Sequence, residues 1–281
     1  GRACAGRCGR HRDAALSVRR PWAGLRRYAE IVYTLAQRDF QGRFRGNWLG
    51  LLGIVVVPLL FLLAYTFVFS TLMPVKIRPD ADREDYAFFF FSGLIGWTLF
   101  ADTAARAPRL FAGHAHFVRK ALFPVSALPA AATLVAFYNA LIWLAVFVVV
   151  RFAREGSVPL SAIAAPGILV VLALLTSGIA LALAACGALA RDLAELIGPL
   201  LTVALFASPV IYPAERLAGV APWLVFCNPL AAPLEALHAT LFDGHWPSLV
   251  GLGTALAWCA VAMAIGVWAH RRVQPVLGDL L

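Results

Sequence analysis

Residues 160–190 read LSAIAAPGILVVLALLTSGIALALAACGALA, an unbroken run without a charged side chain. About 20 apolar residues let a helix cross the hydrocarbon core of a bilayer, so this run predicts a membrane-spanning helix. Five further stretches share its character: 51–72, 86–105, 125–150, 196–212 and 246–269. None of the six contains any of the 24 Lys and Arg residues. Of these, 18 fall before Leu51, in the 106–124 and 187–195 loops, and after Ala269; the remaining gaps hold 6. Basic residues favour the cytoplasmic side, which predicts both termini there. The expected fold is an all-α, polytopic membrane protein with six transmembrane helices. Residues 21–281 form a single domain that follows a basic, disordered stretch, 1–20.

Composition supports this class. The chain is 61% hydrophobic and 14% charged, against about 25% charged for soluble domains. The net charge of +9 is no nucleic-acid footprint, because the basic residues gather on one predicted face. Such a face suits anionic membrane lipid and an acidic cytoplasmic partner, although topology alone also produces the bias. Five cysteines give no disulfide framework, and the Cys4–Cys8 pair is weak as a metal motif. No metal site is expected. The first 20 residues have no apolar core and do not read as a secretory signal. The only lysines are Lys76 and Lys120, so no G-x-x-x-x-G-K-[ST] loop exists to hold ATP and magnesium.

Several local features add detail. Over 21–47, Trp22, Leu25, Tyr28, Val32, Leu35 and Phe40 recur at near-helical spacing, with Pro21 suited to a first turn. This predicts a basic amphipathic helix, lying either in the inner interface or on a partner. Phe61, Tyr65 and Phe69 share one face of the first span, which also contains Pro58. Pro108 and Pro124 bracket the 106–124 loop and suggest a short cytoplasmic helix there. Asp102 is nearly the only ionisable group within a span, and Arg106 lies one turn later to pair with it. Gly178, Ala180, Ala182, Ala184 and Ala185 offer small residues for close helix packing. Residues 217–234 carry no charge, but Pro222, Pro229 and Pro233 interrupt them. They read as short interfacial or re-entrant helices on the outer face, between spans five and six.

The segment from Gln37-Arg38-Asp39-Phe40 to Trp48-Leu49-Gly50 leads directly into the first span. It resembles the approach to the first span in ABC type-2 permeases that export bacterial polysaccharides. Further matches follow in order: Gly93-Leu94-Ile95-Gly96-Trp97, then Phe117-Val118-Arg119-Lys120-Ala121-Leu122-Phe123-Pro124, then Leu128-Pro129 and Arg191-Asp192. Ser208-Pro209-Val210-Ile211-Tyr212-Pro213 and Asn228-Pro229-Leu230 complete the set. His114–Phe117 departs from the family's Asn-rich approach to the basic stretch.

The resemblance implies a permease subunit in the inner membrane that acts as a homodimer. Two copies of a cytoplasmic ABC ATPase would bind ATP and magnesium; this chain would bind no cofactor. The implied substrate is a lipid-linked polysaccharide such as an O-antigen or capsule. The family's coupling loop corresponds to 106–124, which makes Arg109, Arg119 and Lys120 candidates for contact with the ATPase. The helix through Arg38 and Asp39 corresponds to a lateral gate for the lipid-linked substrate. The Pro-broken outer stretch corresponds to gate helices.

Residue chemistry bears on these roles. Aromatic rings pack well against the C–H faces of sugars, and a moving polymer must be held weakly at many places. Phe61, Tyr65 and Phe69 would make such a ladder if they line a channel; otherwise they pack against neighbouring helices or lipid. Arg38, Arg43 and Arg45 suit a pyrophosphate headgroup, or simple positive-inside anchoring. Two rival functions are an ABC type-2 exporter of a drug or smaller lipid, and a membrane transferase acting on lipid-linked sugars. The transferase would draw its acid and base from Glu215, Glu235, His238, Asp243 or His245, which form no recognisable motif. No catalytic residue is assigned.

Overall fold

The structure is a computed structural model that describes residues 21–44, 48–69, 85–114, 116, 123–190, 192–275 and 277. The 1–20 stretch, Arg45, Arg119 and Lys120 lie outside the described residues. Eleven α-helices run through them in order: α1 (Pro21–Phe44), α2 (Trp48–Phe67), α3 (Asp85–Arg106), α4 (Leu110–Gly113), α5 (Ala127–Glu155), α6 (Ala165–Leu189), α7 (Leu193–Phe206), α8 (Ala214–Val220), α9 (Pro222–Cys227), α10 (Ala231–Leu241) and α11 (Leu249–Val273). Short 3₁₀ turns, Ala107–Arg109 and Leu160–Ala164, precede α4 and α6. No strand occurs among the described residues.

Four helical stretches among the described residues are long and apolar enough to cross a bilayer: 85–113, 127–155, 160–189 and 249–273. They correspond to the expected second, third, fourth and sixth spans. The other two apolar helices, Val55–Phe67 within α2 and Leu193–Phe206, are shorter. At 1.5 Å per residue, the 14 residues of α7 reach about 21 Å, short of a hydrocarbon core of about 30 Å. The chain turns at Ala207–Val210, where Pro209 follows, so this helix ends six residues before the expected boundary at Tyr212.

The bundle is apolar on its outside as well as in its core. Leu60, Leu63, Val149, Leu174, Leu200, Val203, Leu256 and Trp268 are all exposed on its flanks. Such a belt would be a liability in water and is normal in lipid. A helix bonds its backbone groups internally, which is what a lipid-facing segment requires, with Pro58 and Pro199 the interruptions inside α2 and α7.

Helices α6 and α11 cross at a point where only glycine fits. A Cβ on Gly266 would stand 2.3 Å from the Gly178 carbonyl oxygen, and one on Gly178 would stand 2.6 Å from the Ala262 backbone. The small residues expected to ease packing therefore set this crossing.

The amphipathic helix forms as expected and lies against the start of α5. Ala36, Ala131 and Val135 make its buried contact, with Val32, Leu35 and Phe40 around them. The Tyr28 hydroxyl donates to the Ser126 carbonyl at 3.2 Å. The Pro-broken stretch, expected as short interfacial or re-entrant helices, divides between the two. α8 and α9 are short, as the prolines require, but α10 is no surface helix. Its Leu234, Leu237 and Leu241 are fully buried, because their stripe seats on α3, α6 and α11. Residues 231–241 thus re-enter the bundle, whereas α8 buries only Leu217 and α9 buries no residue.

Candidate functional site

Three of the family-like motifs, at 93–97, 208–213 and 228–230, meet at one place, on the face of α3 that receives α10. Gly93 and Gly96, one turn apart, leave a groove there. A Cβ on Gly93 would stand 2.7 Å from the His238 ring, and one on Gly96 would stand 2.7 Å from Leu234 and Leu237. Both glycines therefore make room for the close seating of α10.

His238 locks this seating. Its Nε2 lies 2.8 Å from the Pro209 carbonyl, a pure acceptor, so Nε2 carries the proton. Its Nδ1 faces the Ser92 hydroxyl at 2.8 Å, and that hydroxyl also lies 2.7 Å from the Phe89 carbonyl. The Phe89 ring stacks on the imidazole with centroids 4.0 Å apart. Burial holds the His238 pKa down to about 4, against the opposing pull of the Pro209 and Phe89 carbonyls. The ring is neutral at physiological pH.

Asn228 ties the preceding turn to the start of α10. Its side-chain amide donates to the Ala207 carbonyl at 3.1 Å and to the Ser208 hydroxyl at 2.8 Å. Its side-chain oxygen accepts from the Leu230 amide at 2.9 Å. At the other end of α10, the Arg151 guanidinium bonds the Leu241 and Phe242 carbonyls, where a cation complements the helix terminus. The Ser161 hydroxyl donates to the Thr240 carbonyl at 2.9 Å.

Four of the five acid–base candidates, Glu215, Glu235, His238 and Asp243, line one cavity beside this node. Burial and, secondarily, the charge of Glu215 raise the pKa of Glu235. His245 is not among the lining residues.

A second polar node sits at the opposite end of the bundle. Arg106 pairs with Asp102 at 2.9 Å, as its spacing predicted, and also with Asp39 of α1 at 3.2 Å. The link to Asp39 was not legible, since nothing in sequence brings positions 39 and 106 together. Beside it, the turn before α4 abuts the last turns of α6: a Cβ on Gly187 would stand 2.3 Å from the Pro108 carbonyl. Arg109 reaches the Ala194 carbonyl of α7 at 3.4 Å, and Phe111 is fully buried.

The remaining candidates are placed as follows. Arg38 is exposed on α1, and Arg43 belongs to the same helix. Phe61, Tyr65 and Phe69 stack successively at 5.9 and 6.0 Å. Their other faces meet rings of α3 and α5. Phe61 lies 5.7 Å from Trp143, Tyr65 lies 4.4 Å from Phe90, and Phe69 lies 4.4 Å from Tyr86. Phe61 alone of the three is exposed, at 42%. Among the described residues no group of His, Cys, Asp or Glu could hold a metal ion.

The family model described as ABC-2 type transporter matches residues 30–242. A protein of Myxococcus xanthus named O-antigen export system permease protein RfbA is 24% identical over 244 residues, covering 84% of this chain and 92% of that protein. A protein of the same name from Klebsiella pneumoniae is 26% identical over 216 residues, covering 76% and 81% respectively.

Proposed function

From the premise that the chain belongs to the ABC-2 type transporter family, we propose that it is the permease subunit of an ATP-driven exporter of lipid-linked polysaccharide. The observation that carries this reading is coverage: relatives named as O-antigen export permeases align along most of this chain and most of their own. The convergence of Gly93, Gly96, Ser208–Val210 and Asn228–Leu230 on one node gives the shared motifs a physical basis.

In this reading, the short helices Val55–Phe67 and Leu193–Phe206 complete six spans in the inner membrane. Both termini face the cytoplasm, and α8–α10 form gate helices at the outer side. Two copies pair in the membrane, and two ATPase subunits dock from below. Their stroke enters through the 106–124 loop, where Arg109, Arg119 and Lys120 make contact. The link from Pro108 and Arg109 to α6 and α7 would carry that stroke into the bundle. Helix α1, with Arg38, Asp39, Arg43 and Arg45, would admit the lipid-linked substrate. Packing occupies most of the aromatic ladder, so Phe61 is the ring best placed to meet polymer.

Deleting the gene in its host and locating the lipid-linked polymer tests the proposal. Polymer trapped inside, and returned to the surface by the restored gene, supports export. Normal surface display refutes the polysaccharide reading in favour of a drug or smaller lipid. Loss of polymer synthesis without a trapped pool would favour a transferase.

A further inference from the structure

A cavity of about 190 Å³ opens between α3, α8 and α10, next to the His238 node. Its walls differ in chemistry. Phe89, stacked on His238, meets Phe242 edge-on at 5.6 Å, and these rings with Pro209 and Pro213 form a stiff apolar side. Glu215, Arg216, Glu235 and Asp243 form the polar side. Glu235 is an exposed residue between buried neighbours on α10, so its carboxylate is presented by a helix whose other residues are locked in place.

The wall chemistry limits what fits. Three carboxylates against one guanidinium disfavour phosphate or another anion. An apolar ligand would desolvate four charged groups without replacing their hydrogen bonds. The described residues contain no grouping suited to a metal ion. A compact ligand with many hydroxyl donors and an apolar ring face satisfies both walls. Its hydroxyls donate to the carboxylates, and its C–H face packs on Phe242. The pKa of Glu235, raised first by burial and then by the charge of Glu215, is consistent with a carboxylate held at a partly enclosed wall beside a second one.

We propose that this cavity binds one sugar residue, neutral or amino-bearing, of the polymer passing through the permease. The inference rests on the exporter reading and assigns to the outer re-entrant segment a recognition role that packing alone does not require. Weak binding of one residue at a time would let the chain advance while favouring polymers whose repeat unit fits.

The full chain in lipid nanodiscs is probed with oligosaccharides released by mild acid from the host's own surface polysaccharide. Carbodiimide labelling of Glu215 and Glu235, read by mass spectrometry, reports occupancy, and saturation-transfer NMR reports affinity. The oligosaccharide should protect Glu235 from labelling, and Glu235→Gln should weaken binding about tenfold or more, since a hydrogen bond to a charged group is lost. An unchanged melting temperature in that variant would exclude a folding defect. Absence of protection, with affinity unchanged in Glu235→Gln and Glu215→Gln, would overturn the site while polymer export continues. Equal protection by mannitol would also overturn it, because ring recognition would then be lacking. If export proceeds without this chain, the exporter reading itself fails, and this inference falls with it.

Discussion

The imidazole of His238 donates from Nε2 to the carbonyl oxygen of Pro209 at 2.8 Å, joining α10 to the turn that ends α7. The bond is buried, so its loss strands a carbonyl without solvent. His238→Ala should lower stability by about 1–3 kcal/mol, read as a drop in melting temperature of the purified protein.

The same histidine gives a pH dependence of defined sign. Its pKa in the fold is lowered to about 4, chiefly by burial, from about 6.5 in the unfolded chain. Between those values the unfolded chain binds the extra proton. Its contribution is complete above pH 6.5 and is lost as pH falls towards 4. Lowering the pH from 7 to 5 should therefore remove on the order of 2 kcal/mol. His238→Gln should flatten that part of the melting-temperature profile; an unchanged slope would show that other groups set it.

Gly93 and Gly96 should differ in tolerance although both Cβ positions are blocked at 2.7 Å. The obstacle at Gly96 is the far end of two leucine side chains, which can swing. At Gly93 it is a ring pinned from both nitrogens. Gly93→Ala should destabilise by about 1–3 kcal/mol and Gly96→Ala by less. Thermal melts of the two variants decide the order.

The α6–α11 crossing offers a sharper contrast. Gly178→Ala and Gly266→Ala each drive a methyl into backbone, which cannot give way locally. Both should abolish a monodisperse product in detergent chromatography. Gly167→Ala and Gly253→Ala, with nothing within 4 Å of the added carbon, should leave elution and yield unchanged.

How much of this was legible in sequence follows from the range of the interactions. Uncharged runs announced the long helices because length and hydrophobicity are local. The Asp102–Arg106 pair was legible because i,i+4 neighbours always meet on a helix. The small residues of 160–190 signalled a close crossing, although not that Gly266 would be the partner. Besides the Asp39–Arg106 link, two features were not legible. Residues 217–234 read as interfacial or re-entrant because their prolines and shortness are local signals that do not choose between the two. The groove at Gly93 and Gly96 that draws Leu234, Leu237 and His238 inward lies on a distant helix. The shortness of α7 was hidden because apolar character continues past Phe206 while the backbone turns.

Arg106 holds α1 to α3 through Asp39 at 3.2 Å. The pair is partly exposed, so its stabilising contribution is about 0.2–1 kcal/mol. Its main effect should be on the position of α1. Arg106→Gln should broaden the distances between spin labels on α1 and α5 with little change in melting temperature. The charge-swapped pair Asp39→Arg with Arg106→Asp should narrow them again. Equal broadening in the swap would show that the ion pair does not set the position of α1.

The aromatic ladder separates packing from transport. Tyr65 and Phe69 pack against Phe90 and Tyr86 at 4.4 Å, so Tyr65→Ala and Phe69→Ala remove half-buried rings from the edge of the core. Each should cost about 1–3 kcal/mol and lower the amount of protein in the membrane. Phe61 is 42% exposed, so Phe61→Ala should cost less and leave abundance nearly unchanged. If this ring meets moving polymer, export per molecule of permease should fall in Phe61→Ala and hold steady, after correction for abundance, in the other two. Quantifying surface polymer against permease on immunoblots measures both. Parallel loss of export and abundance in all three variants would assign the whole ladder to helix packing.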